Sequence, residues 1–352
     1  MKRFIASTYQ KVYKVLPERG KVIASQLVSR LGRKPFVYFD PAVHPAERLT
    51  RGAVSFSIDF ELAWAWQYAR NLRESAVAMG LRERDQVPVI LAELDRYGIP
   101  ATWATVGHLF LERCGHDSHG LAHSEMPRLQ HFESEFWRFQ QGDWFQHDPC
   151  TNVKKDPAWY APDLIEQILS SKTNHEIACH GFSHAGFGTY CPAEVATAEI
   201  DACLGVMQKF GVRPTSLVFP GNDAGHLSVI ASRGFKAVRA FPHELAEISL
   251  PVRGKEGLWM VHDSAAIDVE GKSWNLESRL QRLKDYVDTA AETRLAAHIW
   301  LHPSLPSNQM RGLLFPLLKY CNEMREKGLI GIYTMESLVA ATAQLSRKEV
   351  HA

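Results

Sequence analysis

Two histidines four positions apart, His180 and His184, are the residues of this sequence with the clearest potential for chemistry. They follow a short apolar run, residues 177–179, and they flank Gly181, so a turn of the backbone there can bring both imidazoles to one point. Two histidines and a carboxylate that leave a position open for water form a recurrent hydrolytic metal site. The spacing therefore predicts a metal centre whose third ligand must come from elsewhere in the chain.

Asp59 and Glu61 are the candidates for that carboxylate. They lie two positions apart at the end of a predicted strand, residues 53–59, so the period of the strand directs both side chains to the same side. Carboxylates at the carboxyl end of a parallel strand lie where barrel enzymes build their active sites. The alternative is a strand-end acid that caps the following helix.

A third histidine, His302, ends a late apolar run, residues 295–301, and is followed by Pro303, which stops strand pairing. An imidazole at this edge is suited to deliver a proton to a leaving group. His298, four positions earlier within the run, is interpreted as structural.

Other side chains at predicted strand ends or within strands are candidates for substrate binding. Residues 219–223 form a strand-to-loop junction where an amide or carboxylate can orient a catalytic group, although the formation of a turn explains the same residues equally well. The candidates are Pro220, Asn222, Asp223, Trp300 and Trp103.

Strands alternate with helices from Gly52 onward, which predicts a parallel α/β sheet wrapped by helices. The number of units suits a barrel. Between residues 111 and 162 the alternation lapses, and this segment is rich in histidine and tryptophan. Long loops of this composition are usually functional, so the segment is predicted to be a lid or substrate-binding insertion. Residues 51–345 are thus expected to form one barrel domain.

Residues 1–50 differ from the rest because basic and apolar residues interleave at roughly helical spacing. A solvated helix packed on the main domain is the favoured interpretation, and peripheral contact with an anionic membrane is the alternative.

The composition excludes several classes of protein. The 352 residues carry 40 Lys and Arg against 39 Asp and Glu, so no global charge favours nucleic acid. The six cysteines form no CxxC pair, no apolar run is long enough to span a membrane, and the N-terminus lacks an uninterrupted apolar core of a signal peptide. We therefore expect a cytoplasmic protein with reduced thiols, with association at the inner face of the membrane as the alternative.

These segments together resemble the polysaccharide deacetylase family, also called the NodB-homology or family-4 carbohydrate esterases. The resemblance runs from about residue 54 to about residue 338, without much of the segment 111–162. Its most specific part is the stretch 174–177 followed by His180 and His184; residues 97–104 and the pair 301–302 also match.

The resemblance implies an irregular (β/α)7 barrel that removes N- or O-acetyl groups from sugars with a divalent metal, zinc foremost, with cobalt, nickel or manganese as alternatives. It implies Asp59 as the base, His302 as the acid, and Glu61, His180 and His184 as metal ligands, although the roles of Asp59 and Glu61 can be reversed. N-acetyl groups on a glycoconjugate precursor are the favoured substrate.

Two motifs of the family are altered. Its third motif has an arginine two residues before the proline, where this sequence has Val218, so the sequence predicts a base without that arginine. Asp263 and Trp274 are the candidates for a supporting Asp-Trp motif. Two alternative functions accompany the deacetylase. One is an allantoinase-like hydrolase of a small cyclic amide, because such relatives also carry Asp-x-Glu, and the other, suggested by Val218, is a catalytically silent carbohydrate-binding protein.

Overall fold

The computed structural model of the protein describes residues 48–70, 74–134, 136–240, 247–254, 256–268 and 274–349, and singly residues 35, 37, 38, 72 and 272. The basic N-terminal extension lies almost entirely outside these residues, so its helix and its membrane contact stay predictions. None of the helices in the described part of the chain is long and apolar enough to cross a membrane.

One ten-stranded sheet forms the body of the molecule, and its strand order is β10-β11-β1-β2-β5-β6-β7-β9-β8, with β12 also paired to β1. All of its pairings are parallel except that of β8 with β9. The strands are β1 (Gly52–Phe60), β2 (Thr102–Thr105), β5 (Glu176–Cys179), β6 (Ser216–Val218), β7 (Ala237–Ala240), β8 (Val252–Arg253), β9 (Trp259–His262), β10 (Ala265–Ala266), β11 (Ala296–Leu301) and β12 (Ile330–Tyr333). The predicted parallel α/β architecture is confirmed.

Helices cover the sheet, and several begin and end at residues that the sequence marks. The helix α1 starts after Ser75, whose hydroxyl accepts a hydrogen bond from the amide of Ala78, and it ends at Gly98 in the left-handed conformation. The described helices of six or more residues are α1 (Ala76–Tyr97), α2 (Pro162–Leu169), α3 (Ala193–Lys209), α4 (Leu227–Ser232), α5 (Leu276–Thr293), α6 (Phe315–Glu326) and α7 (Met335–Glu349). A 3-10 turn, Gly107–Phe110, follows β2.

The strand β1 is the centre of this architecture. All nine of its residues are buried, and it is hydrogen-bonded to β2, β11 and β12. Strands buried on both faces are typical of parallel sheets with helices on the outside. The residues that directly follow β1 therefore emerge at the carboxyl edge, between the ends of its neighbours.

The segment 111–162 packs closely on that edge although its regular structure is sparse. It contains one antiparallel pair, β3 (Phe132–Glu133) with β4 (Arg138–Phe139), and a set of buried aromatic residues. The indole of Trp144 donates a hydrogen bond to the Ser183 hydroxyl at 2.8 Å, and the Trp144 carbonyl accepts one from the Tyr68 hydroxyl at 2.8 Å. The segment is thus an ordered cover over the end of the sheet.

Candidate active site

Glu61, His180 and His184, here called the Glu61 cluster, meet at the carboxyl edge of the sheet. The Glu61 Oε1 lies 2.8 Å from the His180 Nε2 and 3.1 Å from the His184 Nε2. All three side chains are buried. Gly181 and His184 both adopt positive φ angles, 70° and 63°, and this local path of the backbone allows the second ring to approach the first.

The donors and acceptors of the Glu61 cluster fit a cation. The His180 Nδ1 lies 2.8 Å from the carbonyl oxygen of Val218, which can only accept, so in a neutral ring that nitrogen carries the proton. The His180 Nε2 then presents a lone pair to the carboxylate of Glu61, whose Oε2 is buried and has no hydrogen-bond partner. Two acceptors that face each other in a buried site are the arrangement that metal ligands adopt.

The ionisation of the Glu61 cluster also suits a cation. Burial opposes ionisation of Glu61, but the neighbouring imidazoles of His184, His302 and His180 outweigh it and hold its pKa well below its ordinary value. Burial lowers the pKa of His184, which favours the neutral, ligating form of its ring.

A buried glutamate, Glu83 of α1, fixes the backbone that carries the cluster. Its Oε1 accepts hydrogen bonds from the amides of Glu61 and Leu62 at 2.7 and 3.0 Å. Burial and the nearby charge of Glu61 raise the pKa of Glu83 to about 8. The turn that follows β1 is thereby held against the first helix.

Asp59 is held by an arginine that the sequence did not predict for the site. The Nη1 and Nη2 atoms of Arg239, on β7, each lie 2.6 Å from one carboxylate oxygen of Asp59. The same guanidinium donates to the Ser57 hydroxyl and to the Asn222 Oδ1, each at 3.0 Å. Arg239 is 2% exposed, so this is a buried, bidentate ion pair.

Arg239 corrects the expectation of a base without an arginine. Val218, which stands where the related motif has arginine, pairs in register with Arg239 on the adjacent strand. Residues in register on parallel strands direct their side chains to the same face. The guanidinium thus reaches Asp59 from the next strand along the sheet.

His302 lies on the other side of Glu61 and has a carboxylate partner. Its Nδ1 is 2.9 Å from the Asp268 Oδ2, and its Nε2 is 3.7 Å from the Glu61 Oε2. Burial disfavours the charged ring, but Asp268, Glu61 and Asp59 outweigh this effect and raise the pKa of His302 to about 10. These carboxylates favour the doubly protonated ring, whose Nε2 is directed toward the cluster.

The aspartate that supports His302 is not the one that the sequence suggested. Asp268, not Asp263, contacts His302, whereas Asp263 accepts a hydrogen bond from the indole of Trp300 at 3.1 Å. The guanidinium of Arg239 lies 4.4 Å above the Trp300 ring. Asp263 and Trp300 thus pack beside the arginine that holds Asp59.

The structure separates the remaining substrate-binding candidates. Pro220 and Asn222 lie at the site, the former against Gly181 and the latter on Arg239. The Asp223 carboxylate packs against Gly186 and Gly188.

Trp103 does not reach the site. It pairs in register with Ile58, and not with Asp59, so its side chain lies on the opposite face of the sheet. There it is fully buried and contacts the rings of Phe60 and His175.

Two tryptophans that the sequence did not single out for the site lie beside its histidines. The Trp66 ring is 5.4 Å from the His302 ring, and the Trp137 ring is 5.9 Å from the His184 ring. Trp137 belongs to the segment 111–162 and lies directly on Gly221, where a Cβ atom would overlap its ring. Its indole donates a hydrogen bond to the carbonyl of Ala65 at 3.3 Å.

The fold and this arrangement define a class: a parallel α/β barrel-like protein with a carboxylate and two histidines gathered at the carboxyl edge of its sheet. A family model described as polysaccharide deacetylase matches residues 79–238. This match confirms, over the matched residues, the resemblance to that family found in the sequence.

Solved structures have the same fold at low sequence identity. A protein described as a polysaccharide deacetylase from Mycobacterium smegmatis superposes with a TM-score of 0.59 at 14% identity, over 86% of this chain and 95% of that one. A probable polysaccharide deacetylase from Pseudomonas aeruginosa PAO1 gives 0.56 at 14% identity, over 82% and 90%. The Puue allantoinase gives 0.54 at 13% identity, over 82% and 89%. No curated protein matches the chain.

Proposed function

We propose that the protein is a metal-dependent hydrolase that removes an acetyl group, N-acetyl in preference to O-acetyl, from a carbohydrate or glycoconjugate. The observation that carries the proposal is the placement of Asp59 with Arg239 and of His302 with Asp268 on either side of Glu61. A base and an acid around one candidate metal position are what hydrolysis of an amide or ester requires.

Glu61, His180 and His184 would hold a divalent cation. Two imidazoles and a carboxylate suit zinc, and they also accept cobalt, nickel or manganese. When bound, such a cation polarises an acetyl carbonyl and lowers the pKa of water. The position of Glu61 between both imidazoles supports its assignment as the ligand, and the guanidinium on Asp59 supports Asp59 as the base.

Asp59 would take a proton from the attacking water. Arg239 binds both of its carboxylate oxygens and thereby fixes the orientation of the carboxylate. As the water oxygen attacks the carbonyl carbon, its proton passes to Asp59. Precise placement of this carboxylate accounts for a buried arginine that makes three further contacts nearby.

His302 would supply the proton that the leaving group needs. When the bond between the acetyl carbon and the sugar nitrogen breaks, the amine leaves with a proton from Nε2, and acetate is the other product. Asp268 binds Nδ1, so it fixes the ring and favours its protonated form. This contact is absent from the roles implied by the resemblance alone.

The aromatic rings beside the histidines support a carbohydrate substrate. Trp66 and Trp137 are half-buried, so each presents part of an apolar ring next to His302 or His184. Apolar faces of sugar rings pack on such surfaces while their hydroxyls remain hydrated. We propose that the segment 111–162 places Trp137 at the site for this purpose.

Hydrolysis of a small cyclic amide is the second candidate. The Asp59-Phe60-Glu61 spacing and the structural similarity to Puue allantoinase favour it. The alternative of a catalytically silent carbohydrate-binding protein was based on the absence of the family's arginine. Arg239 binds Asp59, so this reason no longer applies.

Product release tests the two hydrolytic functions together. The metal-loaded protein is incubated with matched N-acetylated and O-acetylated sugar oligomers and with allantoin, before and after chelation and after metal is returned. We expect acetate release from the N-acetylated sugar that chelation abolishes and metal restores. Ring opening of allantoin without acetate release would select the second candidate, and acetate release that survives complete removal of metal would overturn the proposed chemistry.

A further inference from the structure

A second group of metal-ligating side chains lies away from the Glu61 cluster, where the segment 111–162 meets the sheet. It consists of His108, Cys114, His123 and Asp148, here called the His108 cluster. His108 belongs to the 3-10 turn after β2, and the other three residues belong to the segment. The cluster therefore joins the insertion to the body of the molecule.

The ligand atoms of the His108 cluster converge on the Asp148 carboxylate. Its Oδ2 lies 3.0 Å from the His108 Nε2, 2.9 Å from the His123 Nε2 and 3.3 Å from the Cys114 Sγ. One ligand atom from each of the four residues lies within 4.8 Å of the others. Bonds of about 2.0–2.3 Å in a tetrahedron separate ligand atoms by roughly 3.3–3.7 Å, so small adjustments would accommodate an ion.

The hydrogen-bond geometry of His108 leaves room for a cation beside its ring. The His108 Nδ1 lies 3.2 Å from the Trp159 carbonyl oxygen, which can only accept, so Nδ1 is the donor. In a neutral ring the Nε2 then bears a lone pair and faces a carboxylate oxygen at 3.0 Å. This nitrogen is fully buried and makes no hydrogen bond. A cation between Nε2 and the carboxylate satisfies both.

The surroundings of Asp148 hold it in place for such a role. Its Oδ1 accepts hydrogen bonds from the Tyr160 hydroxyl at 3.2 Å and from the Cys150 amide at 2.9 Å, which leaves Oδ2 for the cluster. The Trp159 carbonyl orients His108 in the same way. Partners that fix the ligands from behind are the rule at metal sites.

Access and charge are also suitable. A cavity of about 460 Å³ lies against Cys114 and His123 and is open to solvent, so an ion can enter. A divalent cation with one thiolate, one carboxylate and two neutral imidazoles makes a site of zero net charge, which is the form that a buried position tolerates best.

We propose that the His108 cluster binds a second metal ion, zinc by the chemistry of its nitrogen, sulfur and oxygen ligands, and that this ion fixes the segment 111–162 on the sheet. Four protein ligands leave no position for substrate, so the ion is structural. Because the same segment carries Trp137, the second site positions the cover of the Glu61 cluster without touching the reaction. The inference does not depend on the proposed deacetylation.

Metal content of the full-length protein tests the inference. After loading with zinc and removal of excess, we expect about two equivalents in the unchanged protein and about one each in His123→Ala and in His180→Ala. The control is His131→Ala, an exposed histidine of the same segment that contacts the Gly142 carbonyl, and it should retain about two.

Cobalt substitution identifies the second ion even if one variant folds poorly. In His180→Ala loaded with cobalt, the Cys114 thiolate should give a thiolate-to-cobalt charge-transfer band, and Cys114→Ser in the same background should lose it. Cleavage within the segment by a protease should also rise when the second ion is removed. A single zinc equivalent that His180→Ala abolishes, or two that His123→Ala leaves intact without a thiolate band, would overturn the inference.

Discussion

The Glu61 cluster and the His108 cluster are built from similar ligand atoms but have different neighbours. Each joins two imidazoles to one carboxylate oxygen, with the shortest contacts at 2.8 and 2.9 Å. Beside Glu61 lie an aspartate paired with arginine and a histidine paired with aspartate. Beside His108, among the described residues, the further polar contacts come from a thiol, a tyrosine hydroxyl and backbone groups. An exposed glutamate, Glu125, also lies 3.6 Å from the His123 Nδ1.

The comparison indicates that a set of potential metal ligands does not by itself define a catalytic site. The fourth side chain of the His108 cluster is a potential ligand, Cys114, whereas the residues next to Glu61 include a potential base and a potential acid. The position in the fold differs as well, since the Glu61 cluster lies at the carboxyl edge of the sheet, where parallel α/β enzymes bind substrate. We therefore assign chemistry to one cluster and structure to the other.

Removal of Arg239 should make the Glu61 cluster resemble the His108 cluster, with metal retained and activity lost. In Arg239→Met the base loses its orientation, and we expect kcat to fall by about 10²-fold or more. The charge of Asp59 is also left buried without its partner, which should lower the free energy of unfolding by about 3–5 kcal/mol. Acetate release, metal content and chemical denaturation measure the three effects.

A second arginine–aspartate pair provides the matched control. Arg233 also donates to both carboxylate oxygens of its partner, from Nε and Nη2 to Asp201 at 3.0 and 3.1 Å, but this pair lies on the surface. Arg233→Met should leave the free energy of unfolding and kcat nearly unchanged, because an exposed ion pair is screened by solvent. If Arg233→Met and Arg239→Met changed kcat and the free energy of unfolding equally, burial of the Asp59 pair would not matter for either quantity.

Substitution of Asp268 should have a smaller effect that depends on pH. The negative charge of Asp268 raises the pKa of His302, and Asp268→Asn removes that charge. The pKa of His302 should then fall, so the protonated acid is lost at a lower pH and the alkaline decline of kcat moves toward neutrality. The activity lost at acidic pH should be modest, because His302 is still protonated there.

The measurement is the pH profile of kcat for the unchanged protein and for Asp268→Asn. A lower kcat with an unmoved alkaline limb would mean that Asp268 only packs against the ring. An unaltered pH profile and an unaltered kcat would mean that His302 is not the acid.

The sequence predicted the strands and the residues that end them because their signals are local. A buried apolar run followed by acids or histidines identified Asp59, Glu61, His180 and His302, and the parallel sheet explains why they meet. The resemblance to the polysaccharide deacetylase family then implied a role for each of these residues. Local patterns were thus sufficient where the candidate residue lies in or directly after the strand whose pattern predicts it.

Arg239 and Asp268 were missed because their importance depends on pairings between distant strands. Arg239 becomes relevant only when β7 lies beside β6 in the observed register, which places it next to Val218. An arginine at the end of a predicted strand, next to a motif that lacks one, is a signal that could have found it. Asp268 lies in an irregular stretch after β10, and no periodic pattern marks it.

The His108 cluster was missed for a related reason. His123 and Asp148 lie within the long segment 111–162, which the sequence marks only by its composition, and His108 belongs to a different element. The spacing from residue 108 to residue 148 matches no compact ligand motif. Only the packing of the segment on the sheet brings these residues together.

The most direct test of the account is the effect of Asp59→Asn on acetate release by the metal-loaded protein. The substitution keeps the size of the side chain and removes the base, so kcat should fall by about 10²–10⁴-fold while the metal at the Glu61 cluster is retained. Asp201→Asn, at the surface pair, should release acetate at the unchanged rate. Full activity of Asp59→Asn with metal bound would contradict the central claim that Asp59, held by Arg239, activates water beside the Glu61 cluster.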